Sequence, residues 1–131
     1  MRQPAAKAGD QVIATDNHVV MVPTSAGEVP VQAARPFKGI IADGVSSNVN
    51  IMKQPAATRG SIASDTAHVQ PPPGTRFQNP PDGQGQITAG SGSVYINRQP
   101  AARHGDGATT CNDPSKNPAA SVVAAGTVFI G

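Results

Sequence analysis

Apolar residues along this chain come in short bursts, never in long runs. Asn48-Val49-Asn50-Ile51 and Ser93-Val94-Tyr95-Ile96 alternate with a period of two, the pattern of half-buried β-strands. Thr127-Val128-Phe129-Ile130-Gly131 is a third such segment. No stretch keeps the 3.6-residue period of an amphipathic helix. Residues 119–125 are alanine-rich and suit a helix by propensity, but Val122 and Val123 between Pro118 and Gly126 favour a strand there. The segments from Pro23 to Gly39 and from Pro71 to Gly85 are polar and broken by Pro and Gly. They read as excursions between strands.

A repeat organises these bursts. Gln-Pro-Ala-Ala occurs three times, at Gln3–Ala6, Gln54–Ala57 and Gln99–Ala102. Each copy leads to a Gly in register: Gly9, Gly60 and Gly105. Gly at a fixed place marks a turn needing positive φ, and the Pro before it suits a strand end. The second and third copies follow an alternating strand directly. The strand matching the first copy is Thr127–Gly131, at the other end of the chain. The sequence is thus cyclically permuted. It predicts an all-β, conical, pseudo-threefold structure of three like units over residues 1–131, closed by pairing the last strand with the N-terminal segment. Closure would also remove exposed strand edges.

Composition narrows the picture. The chain has 131 residues with no Trp, one Tyr and three Phe, so its core is poor in large side chains. Its 14 Gly and 13 Pro fall just short of a composition that reads as disordered, and the ordered repeat argues against disorder. Net charge is +2 with Lys and Arg scattered, which supplies no basic stripe for nucleic acid. Neither a signal-peptide core nor a run of ~20 apolar residues is present.

Three His and one Cys are the borderline-soft donors. His18, His68 and Cys111 lie nine, eight and six residues beyond Gly9, Gly60 and Gly105, one donor per unit. In a threefold arrangement they would converge, and neutral imidazole and thiolate suit zinc, with iron a second choice. A fold that tapers leaves little core near its point, and an ion can take the core's place. His104 precedes its turn Gly and is seven residues from Cys111, ~20 Å along an extended strand, so it reads as a surface residue beside the turn. The fourth position is open to water, a backbone oxygen or a carboxylate. Asp16, Asp65 and Asp113 are the nearby candidates for the ion or for the residues around it.

Glu28 is the only Glu, and no His-Glu pair supplies a base to a metal-bound water. No Gly-x-Ser-x-Gly occurs, and the glycine pairs at Gly83-Gln84-Gly85 and Gly90-Ser91-Gly92 open no helix. A structural ion in a non-enzyme is the expectation. A small metal-dependent enzyme using Asp as base, or a β-rich binding module, are the rival classes. The scattered aromatics give the latter no platform.

Pro100-Ala101-Ala102-Arg103 followed by Gly105-Asp106 resembles the signature of the PAAR-repeat proteins, with Pro4-Ala5-Ala6-Lys7 and Pro55-Ala56-Ala57-Thr58 as degenerate copies. Val94-Tyr95-Ile96-Asn97 and the closing Thr127–Gly131 segment are also similar to that family's strands. The resemblance implies a β-cone that caps the trimeric, VgrG-like spike of a contractile injection system, of the type VI or extracellular phage-tail-like kind. It implies a tip that helps pierce a target membrane, a monomer seated on a trimeric base, and delivery with the particle without a signal peptide. It further implies zinc held near the point by His and Cys. His18, His68 and Cys111 match those ligands, and the family's usual third His is not matched by His104. Effector cargo is a further partner such proteins carry. Because this chain stops at the closing strand, no attached toxin domain is expected.

Overall fold

The computed structural model describes residues 2–131 and is an all-β protein; among the described residues the one helical element is a 3-10 turn at Ala67–Val69. In chain order the strands are β1 (Gln3–Pro4), β2 (Gln11–Thr24), β3 (Gly27–Asp43), β4 (Asn50–Ile51), β5 (Gln54–Pro55), β6 (Ile62–Ser64) and β7 (Arg76–Phe77). Then follow β8 (Gln84–Ile87), β9 (Tyr95–Ile96), β10 (Gln99–Pro100), β11 (Gly107–Thr110), β12 (Asn117–Val123) and β13 (Phe129–Ile130). Among the described residues no helix is long and apolar enough to cross a membrane.

Each Gln-Pro is a two-residue strand, because the proline beyond Gln has no N–H to extend a ladder. β5 pairs with β4 and β10 with β9 as tight hairpins, and β1 pairs with β13, joining Gln3 to Ile130 and Pro4 to Phe129. The three Ala-Ala steps are tied in a ring of backbone hydrogen bonds. Ala6 N–H donates to Ala102, Ala102 to Ala57 and Ala57 to Ala6, at 2.9, 3.0 and 3.0 Å. A second ring runs the other way, from Ala8 to Pro55, Arg59 to Pro100 and His104 to Pro4, at 2.8, 2.9 and 2.9 Å. The centre of such rings leaves room only for small side chains. Ala6, Ala56, Ala57, Ala101 and Ala102 are fully buried where three backbones meet.

The turn glycines behave alike. Gly9, Gly60 and Gly105 have φ of +95°, +96° and +87°, the region glycine enters without a Cβ penalty. Asp10, Ser61 and Asp106 then cap the same turn by accepting a side-chain bond from the N–H of Lys7, Thr58 and Arg103.

Apolar packing divides into two layers. Ala5, Ile51, Ala56, Ile96 and Ala101, with Val49, Val94 and Ile130 against them, fill the hairpin side. On the other side the cluster includes Val12, Phe37, Ile41, Ile87, Ala108 and Val122. These are the buried faces of a seven-stranded antiparallel sheet in the order β12-β11-β8-β6-β3-β2-β7, with β12 also paired to β2 so that the sheet wraps on itself. The alanine-rich segment is a strand, β12, as its valines and flanking breakers required.

The excursion expected from Pro23 to Gly39 is instead regular. β2 and β3 form one long hairpin with unbroken register from Gln11–Ile40 to Thr24–Gly27. The prolines mislead because of where they sit. Val19 turns its N–H to Asp113 and its carbonyl to Gln78, away from β3, so its partner Gln32 faces outward on β3. Pro30 and Pro36 share that outward set, where a missing N–H costs no ladder bond. They also blunt the free edge of β3. In the segment from Pro71 to Gly85, the short β7 docks on β2, Gln84 and Gly85 open β8, and the rest forms a loop.

Candidate metal centre

The hairpin carries Asp16 and His18 out of the inner apolar layer on one face of β2, two residues apart and so on the same side of the strand. The 3-10 turn brings His68, and the end of β11 brings Cys111. One donor atom from each of Asp16, His18, His68 and Cys111 lies within 4.8 Å of the others, and all four residues are buried. The structure thus brings His18, His68 and Cys111 together, each from a different repeat unit. His104 lies outside the group, with its Nδ1 accepting the Ala124 N–H at 3.1 Å beside the repeat turn.

Each donor is aimed by its surroundings. His68 Nδ1 donates to the Pro36 carbonyl at 2.9 Å, which fixes its tautomer and leaves the Nε2 lone pair facing the cluster. The turn bearing His68 is nucleated by Asp65 Oδ1, which accepts the N–H of Ala67 and His68, while Oδ2 accepts that of Lys38. Arg35 donates to the His68 carbonyl at 2.8 Å. Phe37 and Phe77 pack edge-on against His68 and His18 at centroid distances of 5.3 and 5.9 Å. Asp113 accepts the Val19 N–H and donates its own N–H to Asn17, lacing the loop after Cys111 to β2.

Asp16 is fully buried. Its Oδ1 accepts from Thr110 Oγ1 at 2.7 Å and Asn117 Nδ2 at 2.9 Å. Its Oδ2 faces inward, 3.6 Å from His68 Nε2 and 4.0 Å from Cys111 Sγ. Of the three candidate Asp residues, Asp16 alone joins the donor group; Asp65 shapes the His68 turn and Asp113 backs His18. The one clue in the sequence was the two-residue step from Asp16 to His18. Phe37, Phe77, Thr110 and Asn117 carried no such clue.

The proton inventory tests whether a cation fits. The Nε2 atoms of His18 and His68 stand 2.8 Å apart. His68 Nδ1 must carry a proton to bond a carbonyl. Burial, and then the His68 ring, hold His18 below its ordinary pKa against the pull of Asp113, so His18 is neutral at pH 7. Its one proton must choose. On Nε2 it bonds His68 but leaves buried Nδ1 a bare lone pair beside Asp113 Oδ2, 3.4 Å away and outside hydrogen-bond geometry. On Nδ1 it faces that carboxylate, and two Nε2 lone pairs then oppose each other. A cation resolves the second arrangement. Imidazoles on tetrahedral zinc stand about 3.3 Å apart at normal bond lengths, a small separation from the present geometry. Burial also pushes the Cys111 thiol up to about 11, partly offset by the Gly83 backbone, so it is a poor anion without a metal. Two imidazoles, a thiol and a carboxylate oxygen suit zinc chemically.

The fold and this site define a small, ring-closed β-protein with a buried Asp/His/His/Cys group able to hold an ion. Residues 77–131 match the family model of the PAAR motif. That family is a structural spike-tip family. No curated protein and no solved structure gave a match.

Proposed function

We propose that the chain is a structural tip that caps and sharpens the trimeric spike of a contractile injection system and helps it enter a target membrane. The observation that carries this reading is the cyclic hydrogen bonding of the three Gln-Pro-Ala-Ala segments. One chain built this way offers three equivalent faces to a threefold partner such as a VgrG-type trimer. The PAAR match over residues 77–131 supports the same role.

In this reading residues 1–131 act as one unit, with the hairpin layer as the seat and the His18 region toward the point. His18, His68 and Cys111 hold a zinc ion, and the Asp16 oxygen takes the fourth position. With Cys111 as thiolate, the two anionic donors balance the charge of a divalent ion in a buried place. The ion substitutes for apolar core near the point, where few residues are left to pack. The second reading, an enzyme at the same site, is disfavoured because all four donors are buried and Asp113 is occupied in lacing the loop to β2.

Elemental analysis together with co-purification on a spike trimer tests the proposal. One zinc per chain and one chain per trimer are expected. A metal-free protein that ignores the trimer would overturn it.

A further inference from the structure

The hairpin end of the molecule carries a pattern that the apolar packing does not require. Each Gln-Pro-Ala-Ala segment is preceded immediately by a cation: Arg2 before Gln3, Lys53 before Gln54 and Arg98 before Gln99. All three side chains are exposed. The structure keeps these positions equivalent. Gln3, Gln54 and Gln99 pair with Ile130, Ile51 and Ile96 in the same register. The residue after each Ile reaches toward a neighbouring hairpin. Asn97 Nδ2 donates to Ser46 Oγ at 2.8 Å, the Gly131 carbonyl accepts from Ser91 Oγ, and Met52 Sδ lies 3.4 Å from the Thr127 N–H.

Two of the cations are held at a conformational cost. The β4–β5 turn is Met52-Lys53, with φ of +50° and +69°, and the β9–β10 turn is Asn97-Arg98, with φ of +51° and +70°. Such two-residue hairpin turns favour Asn-Gly or Gly-Gly, and Lys or Arg at the second position is strained. Gly would be the residue of choice for folding alone, yet both turns keep a long cation there. The surrounding segments carry no acidic side chain: no Asp or Glu occurs in residues 2–6, 45–57, 88–102 or 124–131. Between the cations stand exposed Met52, Tyr95 and Phe129, at 46%, 59% and 52% exposure.

We infer that Arg2, Lys53 and Arg98 form a three-point cationic clamp for carboxylates displayed once per subunit on the end of a trimeric protein. This inference rests on the proposed seating on a spike and adds its recognition chemistry. A trimer repeats one acidic group at three equivalent places, and three equivalent cations meet them in any of three rotational settings. Exposed apolar side chains between them supply contact area, while the cations set registry and speed encounter. An anionic membrane surface would attract the same charges but has no reason to select a threefold disposition.

The test uses the full chain and a VgrG-type spike trimer. Lys53→Gly and Arg98→Gly are combined with Arg2→Ala. Gly relieves the positive-φ strain, so the melting midpoint should hold or rise, whereas trimer binding should weaken about tenfold or more and lose much of its salt dependence. Stability and docking would then move apart, which a folding defect cannot produce. Reversing the trimer's terminal carboxylates to Lys should be rescued by Glu at the three positions. A triple variant that binds like wild type overturns the clamp while leaving the seating intact. Wild type that binds no trimer at all overturns both. Preference of wild type for phosphatidylglycerol vesicles over the trimer, lost in the triple variant, would reassign the cations to lipid and overturn the inference.

Discussion

His18 and His68 face each other through their Nε2 atoms at 2.8 Å, while the outer nitrogen of each is turned to an oxygen of Asp113 or Pro36. The two rings come from elements 50 residues apart in sequence, so nothing local forces the approach. Oxygen behind each ring, with the two Nε2 atoms turned toward each other, suits ligands oriented for an ion.

Removal of that ion is therefore expected to cost stability. Stripping with a strong chelator should lower the melting midpoint by roughly 10 °C or more, since structural zinc sites contribute several kcal/mol to folding. Readdition of zinc should restore it, and Cys111→Ser should melt like the stripped protein. A calorimetric scan that is superimposable before and after metal removal would sink the structural role.

Loading should also release a proton. The Cys111 thiol, pushed up to about 11, is protonated at neutral pH and must ionise to bind metal. His18, held low, is already neutral and contributes none. Zinc affinity is thus expected to rise about tenfold per pH unit between pH 7 and 9, with one proton leaving per ion. Titration calorimetry in buffers of different ionisation enthalpy reads this directly, and Cys111→Ser should release no proton.

Asp16→Asn distinguishes a carboxylate ligand from a bound water. The amide oxygen can still accept from Thr110 and Asn117, so the buried contacts survive. The other atom becomes an NH2 that cannot ligate. Zinc affinity should fall about 10- to 100-fold or more with little loss of fold. In the cobalt-substituted protein the thiolate charge-transfer band should persist while the ligand-field bands change. Equal affinity in the two proteins would give the fourth position to water.

Gly83→Ala probes the loop that closes over the site. Gly83 has φ of +67°, and a Cβ there would meet the Asp65 carbonyl at 2.8 Å and Val69 Cγ1 at 2.7 Å. Its own carbonyl accepts the Asp65 N–H at 2.8 Å. The substitution should displace the Asp65–His68 turn and destabilise by roughly 1–3 kcal/mol, with a loss of metal affinity measured alongside. Gly9→Ala, at a repeat turn whose Cβ would meet open space, should cost only the strain of its φ and leave metal binding alone.

The repeat made most of the fold legible. A Gly at the same step after each Pro-Ala-Ala, and a strand displaced to the far end of the chain, predicted the β1–β13 pairing seen between Gln3 and Ile130. The closeness of His18, His68 and Cys111 was legible for the same reason, since distance from a repeated turn is a structural coordinate. What stayed hidden belongs to one unit only. The β2–β3 hairpin has no counterpart in the other two, and its prolines looked like breakers because sequence does not tell which edge of a strand faces solvent. The role of Asp16 over Asp65 and Asp113 depended on side-chain direction, which spacing from a turn does not report. Phe37 and Phe77 come from the segments that looked least structured.

The join between β1 and β13 has a bearing on how the chain folds. Its partners, Gln3–Pro4 and Phe129–Ile130, come from segments far apart along the chain, so no local segment makes this pairing by itself. Both strand edges stay unpaired until that remote contact forms, in a late, slow step, as expected for pairing so distant along the polypeptide. Loss of only Phe129 and Ile130 should therefore leave an open, aggregation-prone molecule out of proportion to the two residues removed.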